Sequence, residues 1–378
     1  MLSPKLNINF YNKKIKLFHF WGVLGFICGV SLGIALTLGV GLPLWVLAIM
    51  SLCGAATFFA HVFIQKIITG NESLVYYRHE IAILSVCSLM LWLIHQPVIP
   101  FLEITLLGVG TFLAFGRIGC FNVGCCHGRP SKVGFSYTHQ HAEEGFPHYY
   151  VGIKIFPLPL VESFFVTITV IVGAFLFLGK FPQGTVLIWY TVFYGAVRFV
   201  LEFFRGDPER PYLHGLSEAQ WTTWFLIILS LIGSITSRLP LYYWQIIITF
   251  IISITSMTII VFHKKWKTYS LLNPTHIQQL AMSFDNFANS GAKKEIEIYS
   301  TQLGISCSHG KIVVPDGTML HFTFSNQNHL EYLDKMTIKK MAKYLKTIQK
   351  ISIEPNIIEK GNGIFQVTFW QPRDNDKK

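Results

Sequence analysis

The feature that most limits how this chain can fold is a succession of apolar runs. Each is close to the roughly 20 residues a helix needs to cross the hydrocarbon core of a bilayer. They fall at 18–38, 43–65, 77–95, 99–118, 159–179, 184–204, 219–236 and 241–262. In hydrocarbon a backbone must satisfy its polar groups within its own segment, so eight such runs predict helices rather than strands. Pro43, Pro97, Pro100, Pro157, Pro159, Pro182 and Pro240 stand at or near run ends, where a missing backbone donor is tolerated. The seventh run is the shortest and stands nearest the lower limit for a span. Composition agrees: a soluble protein has about a quarter of its residues charged, and here the figure is 13% of 378.

The N-terminus resembles a signal peptide, with Lys13, Lys14 and Lys16 before an apolar run. That run continues to Val40 with no small-residue cleavage site after it, so it reads as the first span. Beyond His263-Lys264-Lys265-Trp266-Lys267 the composition turns ordinary and soluble. Periodicity there predicts helices at 277–288 and 336–349 and strands at 295–299, 321–324 and 363–370. The expected fold class is therefore an all-α polytopic membrane protein of about eight transmembrane helices, residues 1–262, with a small C-terminal α+β soluble domain, 263–378. The lysine-rich helix at 336–349 is either a solvated face packed on a sheet or a contact for lipid headgroups. The net charge of +11 suits anionic lipid. No basic fold known to read bases is present, so nucleic acid is not an expected partner.

The sixth span carries the strongest chemical signal. Tyr194, Arg198, Glu202 and Arg205 recur at i, i+4, i+8 and i+11, which places them on one stripe of a helix. An ionisable group inside a span costs at least ~2.5 kcal/mol, so it persists where it is paired or lines a cavity. Arg198 and Glu202 have the spacing to pair along the helix; a self-satisfied pair at a helix end is the plainer reading. A second signal closes the fourth span, Gly116-Arg117-Ile118-Gly119-Cys120-Phe121-Asn122-Val123-Gly124-Cys125-Cys126-His127-Gly128-Arg129-Pro130. Arginine forks and the amides of such a loop suit a phosphodiester, while the plain reading is a glycine-rich turn. Glu162 opens the fifth span, and Tyr76-Tyr77-Arg78-His79-Glu80 opens the third. The latter could serve the cavity or an interfacial aromatic belt.

Seven cysteines lack the paired spacing of a disulfide framework. Cys28, Cys53 and Cys87 read as packing residues. The arrangement of Cys120, Cys125, Cys126 and His127 matches no common zinc pattern, so they read first as small residues lining a tight loop, ahead of reactive thiols. No metal and no cofactor is expected.

GRIGCFNVGCCHGRP, LPLVE, WYTVFYGAVRFVLEFFRGDPE and HGLSEAQW together resemble the successive landmarks of bacterial prolipoprotein diacylglyceryl transferases, over residues 20–236. The resemblance implies a multi-pass enzyme of the bacterial cytoplasmic (inner) membrane. It would transfer diacylglyceryl from phosphatidylglycerol to a cysteine thiol of a prolipoprotein and release glycerol phosphate. Its partners would be that lipid, the membrane and prolipoprotein signal peptides. Arg117 then corresponds to the arginine that handles the lipid phosphate, Arg198 and Glu202 to the essential pair, and Gly119, Phe121, Gly124 and Gly128 to motif positions. Arg129, Glu162, Tyr194 and Arg205 complete the expected lipid site. Where the family has GNFINGE, this chain has Gly119-Cys120-Phe121-Asn122-Val123-Gly124-Cys125. Where it has a histidine base, this chain has Tyr77, with His79 two residues on, so Tyr77, His79 and His127 are the candidates for the base. The alternative expectation is a non-catalytic phospholipid-binding paralogue.

Membrane orientation is read in two ways. The basic loops and tails place both termini and the soluble domain in the cytoplasm. The family resemblance places the ends of the fourth and sixth spans, and the soluble domain with them, outside.

Overall fold

The structure, a computed structural model, describes residues 4–10, 13–70, 76–208, 211–263, 273–289, 298–326, 333–348, 351, 353–361 and 363–372. All eight apolar runs are helical: α1 (Leu17–Gly39), α2 (Leu44–Thr69), α3 (Tyr76–Leu93) and α4 (Val98–Val123), then, after a short α5 (His139–Glu143), α6 (Leu158–Leu178), α7 (Thr185–Phe204), α8 (Glu218–Ile235) and α9 (Tyr243–Phe262). Seven of the described helices are long and apolar enough to cross a membrane. The helix outside that set is α3, rather than the short seventh run. Its first turn is Tyr-Tyr-Arg-His-Glu, which leaves it less apolar than the others.

α4 and α7 form the interior of the bundle. About half of each is buried, 50% and 56%, against 11% of α2. α4 lies between α1 and α6, and two glycines set its approach to α1. A Cβ on Gly29 would stand 2.7 Å from the Gly108 carbonyl oxygen, a crossing that a residue with a side chain does not allow. Near the start of α4, the carboxylate of Glu103 is buried and accepts from the backbone N–H groups of Gly184 and Val186, each at 2.9 Å. These are among the orphan donors that open α7, and a carboxylate there also meets the positive end of the helix dipole.

The sequence pattern does not foretell how α7 is built. Its α-helical turns Thr185–Trp189 pass into a π segment, Tyr190–Tyr194, then an α segment, Gly195–Leu201, and close in a 3-10 turn, Glu202–Phe204. π segments inside α-helices recur at functional sites, because the extra residue re-aims the side chains around it.

At the membrane end where α4 finishes, a hairpin of β1 (Asn7–Phe10) and β2 (Lys13–Lys16) leads into α1; the sequence reading had no strand there. The α4–α6 connection carries β3 (Pro130–Ser136), α5 and β4 (Lys154–Ile155). The α7–α8 connection carries β5 (Tyr212–Leu213) and β6 (Leu216–Ser217).

The C-terminal domain is an antiparallel sheet covered by helices. Strands β7 (Ile298–Ser300), β8 (Ile305–Val314), β9 (Gly317–Asn326), β10 (Asn356–Gly361) and β11 (Ile364–Pro372) lie in the order β10-β11-β9-β8-β7. The helices are α10 (Pro274–Asn289) and α11 (Lys335–Ile348). Ile338, Met341, Ala342 and Leu345 follow the i, i+3, i+4, i+7 spacing of one helix face and share a core with Phe322, Phe324, Phe365, Val367 and Phe369. The lysines of α11 take the opposite face, the solvated-face reading. Both expected helices stand, with 349 of the second outside the described residues; the strand at 321–324 falls inside β9, and that at 363–370 begins one residue before β11. β8 and β10 were not foreseen, and 295–297 of the expected first strand lie outside the described residues.

This domain rests on the connection after α4. Ile277 and Ala281 of α10 and Ile348 of α11 join a core with Tyr137, Phe146, Tyr150 and Ile155. The Tyr150 and Tyr344 hydroxyls are 2.8 Å apart, and the Thr275 hydroxyl donates to the Pro208 carbonyl at 3.0 Å. The domain therefore sits on the membrane end that carries the glycine-rich loop.

Candidate active site

Three helices bring charge to one point in the bundle. Pro159 sits at the start of α6, where its missing N–H costs nothing, and Glu162 follows one turn in. The Glu162 carboxylate lies 3.0 Å from Arg117 Nε of α4 and 3.5 Å from Arg198 Nε of α7. Tyr194 donates its hydroxyl to Glu162 Oε1 at 2.9 Å. Arg198 also pairs with Glu202 one turn on, as their spacing predicts. None of the four charged side chains is more than 8% exposed. Removing one partner of a buried pair leaves an uncompensated charge, at about 3–5 kcal/mol, so each group here holds the others in place.

Arg205 reaches the cluster by another route than the helical stripe. The α-helix ends at Leu201, and Arg205 adopts an extended backbone (φ −68, ψ 142) that bridges to Gly128. The Gly206 N–H donates to the His127 carbonyl at 3.0 Å, and Arg129 Nε to the Arg205 carbonyl at 3.0 Å. A Cβ on Gly206 would lie 2.2 Å from the Gly128 oxygen, so only glycine fits between these chains. The Arg205 side chain is 1% exposed and forks onto Asp207, with both Nε and Nη2 at 2.7 Å. Its Nη1 is buried without a hydrogen-bond partner among the described residues. A guanidinium carries five N–H donors in a fixed fork, so this nitrogen can donate to an acceptor that enters the site. Arg117, Arg198, Arg205 and Arg129 outnumber Glu162, Glu202 and Asp207 by one charge.

The glycines shape this loop rather than line it with donors. Gly119 packs against Phe18, Gly124 ends α4 in the left-handed region (φ 80), and Gly128 abuts the Phe156 carbonyl. The Gly124 N–H donates to the Cys120 carbonyl at 2.9 Å. The reading in which loop amides wrap a phosphate thus loses that donor, which leaves the guanidinium groups as the candidates for an anion.

The two candidate bases of α3 stand elsewhere. His79 is buried with its ring against Phe58 and His61 of α2, at centroid distances of 4.8 and 4.4 Å, rather than against the arginines. Tyr77 is half-buried beside Arg78 and Glu218, and Arg78 and Glu218 pair between α3 and α8. His127 is buried beneath Phe146 and Tyr150 and engages the Gly128 carbonyl through Nδ1 at 2.8 Å; burial holds it below the usual imidazole range.

Instead, the structure turns other polar groups of α3 and α7 inward. The Tyr76 and Tyr190 hydroxyls lie 3.4 Å apart with Glu80 facing both. The Tyr190 and Tyr194 rings follow at 5.4 Å. Extending the stripe of Tyr194 and Arg198 back by one turn finds Tyr190 in the sequence. Tyr76 and Glu80 belong to the polar cluster that opens α3, but the sequence does not say which of its members face inward, because that depends on the neighbours of α3.

The cysteines of the loop converge. The Sγ atoms of Cys120, Cys125 and Cys126 all lie within 4.8 Å of one another. Cys120 closes α4, Gly124 turns the chain, and Cys126 takes a left-handed backbone (φ 54) that is uncommon for a residue with a side chain. The Cys120 and Cys125 thiols beside it, with the Arg205 and Arg117 guanidinium groups beyond, hold Cys126 well below the usual thiol range.

The family profile described as prolipoprotein diacylglyceryl transferase matches residues 5–236. A phosphatidylglycerol–prolipoprotein diacylglyceryl transferase of Clostridium tetani is 31% identical over 136 residues, 35% of this chain and 52% of that protein. Transferase 2 of the same description from Clostridium perfringens is 29% identical over 136 residues, 35% of this chain and 49% of that one. The Dehalococcoides mccartyi transferase is 26% identical over 129 residues, 34% and 48%. The chain spans about half the length of these relatives.

Proposed function

The chain belongs to the prolipoprotein diacylglyceryl transferase family, and on that premise we propose that it transfers a diacylglyceryl group from phosphatidylglycerol to the thiol of a prolipoprotein cysteine, or of a related acceptor, with release of glycerol phosphate. The observation that carries this reading is the buried arginine cluster around Glu162, with an unpartnered Nη1 on Arg205. A lipid phosphodiester has one negative charge, and its departing phosphate monoester has two. Fixed guanidinium groups in a water-poor site favour the second state over the first, which is how preorganised charge lowers a barrier. Arginine suits this better than lysine, since its planar fork can hold two phosphate oxygens at once.

Glu162 is the organiser of that cluster. It orients Arg117 and Arg198 and accepts from Tyr194, while Glu202 fixes the other side of Arg198. A phosphate arriving beside these groups can draw the arginines off their carboxylates without breaking any backbone hydrogen bond. The bundle of apolar helices is consistent with residence in a bacterial cytoplasmic membrane, where the donor lipid lies. A prolipoprotein signal peptide would then reach the site from the same bilayer.

The test is release of glycerol phosphate by the purified protein in phosphatidylglycerol nanodiscs supplied with a lipobox thiol peptide. Release that depends on both lipid and thiol is expected. A folded protein that retains phosphatidylglycerol but releases nothing would be the non-catalytic lipid-binding paralogue instead.

A further inference from the structure

The transfer chemistry needs a thiolate, yet the candidate histidine and tyrosine of α3 stand away from the arginine cluster. The loop beside Arg117 and Arg205 holds three thiols. Cys120 comes from the last turn of α4, Cys125 and Cys126 from the turn after Gly124, and their sulfur atoms lie within 4.8 Å of one another. A zinc ion bonds thiolate sulfur at about 2.3 Å, which in tetrahedral geometry separates the sulfurs by about 3.8 Å. The present spacing closes to that with movements of under about an ångström. Cys120 and Cys126 are half-buried and Cys125 is exposed, so the triad is anchored on one side and open on the other. Cys126 also takes a left-handed backbone (φ 54), and strain of this kind concentrates at functional sites.

We infer that Cys120, Cys125 and Cys126 form a three-thiolate site for a zinc-type ion whose fourth, open position takes the sulfur of the acceptor thiol. Four protein ligands make a closed structural zinc site, whereas three leave room for a reactant. A thiol bound to such an ion is deprotonated outright, so no side-chain base is required. Arg117 stands one turn before Cys120 on α4, and Arg205 bridges to Gly128 two residues after Cys126. They offset the negative charge that three thiolates and a divalent ion leave behind.

The inference rests on the transferase reading for its acceptor, and the step balances as follows. The acceptor thiol gives its proton to water on binding the ion. Its sulfur then forms a bond to the phosphate-bearing carbon of the diacylglyceryl unit as the bond from that carbon to the phosphate oxygen breaks. The electron pair leaves with glycerol phosphate, which departs as a dianion. The ion changes neither oxidation state nor number, and the product thioether, a weaker ligand than a thiolate, gives up the open position.

Cobalt(II) substitution of the full-length protein reads this directly. Metal-free protein titrated with cobalt is expected to develop thiolate-to-cobalt charge-transfer absorption that saturates at one equivalent and is displaced by zinc. The band should vanish in Cys120→Ser/Cys126→Ser protein and persist in Cys28→Ser, a half-buried cysteine of α1. A lipobox thiol peptide should shift the cobalt spectrum, and the serine version of the peptide should not. Wild-type protein of native thermal stability without the band, or a band that survives in the double variant, overturns the site. A spectrum indifferent to the thiol peptide overturns the open position. Full glycerol phosphate release by metal-free protein overturns the role while leaving the transferase reading intact. A thiol-responsive cobalt spectrum with no release from any lipid supports the site and counts against the transferase reading.

Discussion

Glu103 and Glu162 are both carboxylates buried within the bundle, 3% and 1% exposed, yet they meet opposite kinds of partner. Glu103 accepts from the fixed amides of Gly184 and Val186 that open α7. Glu162 faces the side chains of Arg117, Arg198 and Tyr194, and α6, α4 and α7 would each keep their backbone bonds if those side chains turned elsewhere. A carboxylate that caps a helix is part of the scaffold, because its donors have nowhere else to go. One that holds guanidinium groups can yield them to a phosphate. Burial therefore does not distinguish the two acids, and the kind of donor each accepts from, backbone amide or side chain, does.

The sharpest way to break this comparison is to remove an arginine on one side of it. Arg198→Ala is expected to lower glycerol phosphate release by about a hundredfold or more while the protein still folds in detergent. Undiminished release would detach the cluster from the chemistry. Next in size are Glu162→Gln and Glu103→Ala, each expected to cost about 3 kcal/mol in thermal or denaturant unfolding. Added phosphatidylglycerol should restore much of the loss in the first, by supplying an anion to Arg117 and Arg198, and none in the second. Equal rescue of both would erase the distinction between the two acids. Glu103→Gln comes third. Both N–H groups meet one carboxylate oxygen, Oε1, which the amide can replace, so only the assistance of the charge is lost: about 1 kcal/mol, with the rate of release unchanged.

The smallest effect is one of pH, at the edge of the same membrane end. His141 Nδ1 accepts from the Thr138 N–H and lies 2.8 Å from the Thr138 hydroxyl, capping α5, and burial holds the ring below the usual imidazole range. The unfolded chain therefore binds the proton first. Stability contributed by the cap is present above the ordinary histidine value of about 6.5 and falls as the pH drops below it. Thermal unfolding at pH 7.5 and 5.5 should show this drop, and His141→Gln should shrink it. A wild-type protein no less stable at the lower pH would count against the cap.

Much of the site was legible as residue type and spacing. Tyr194, Arg198 and Glu202 sit on one stripe because helical period alone puts them there, and Glu162 is conspicuous as an acid in an apolar run. Arg205 was legible as a member of the cluster but not by the correct route, since the helix stops before it and a strand-like bridge to Gly128 carries it inward. His79 and Tyr77 face α2 and the Arg78–Glu218 pair instead. Proximity in sequence to a motif position says nothing about which face of α3 meets α2 and which meets α7. Glu103 gave no signal of its role, because its partners are amides some 80 residues away.

By itself the sequence determined the class of the molecule: apolar runs of membrane length, an ionic cluster within them, and a small soluble α+β domain after them. Hydrocarbon leaves a chain few ways to satisfy its backbone, so length and polarity decide that much locally. Only the tertiary structure decided that three cysteines without any common metal spacing meet at one point. It also decided that Glu162 stands between two arginines, and that the C-terminal domain leans on the loop after α4. Each of these depends on how separate elements pack, and packing depends on the shapes of facing surfaces, which no period along one segment encodes.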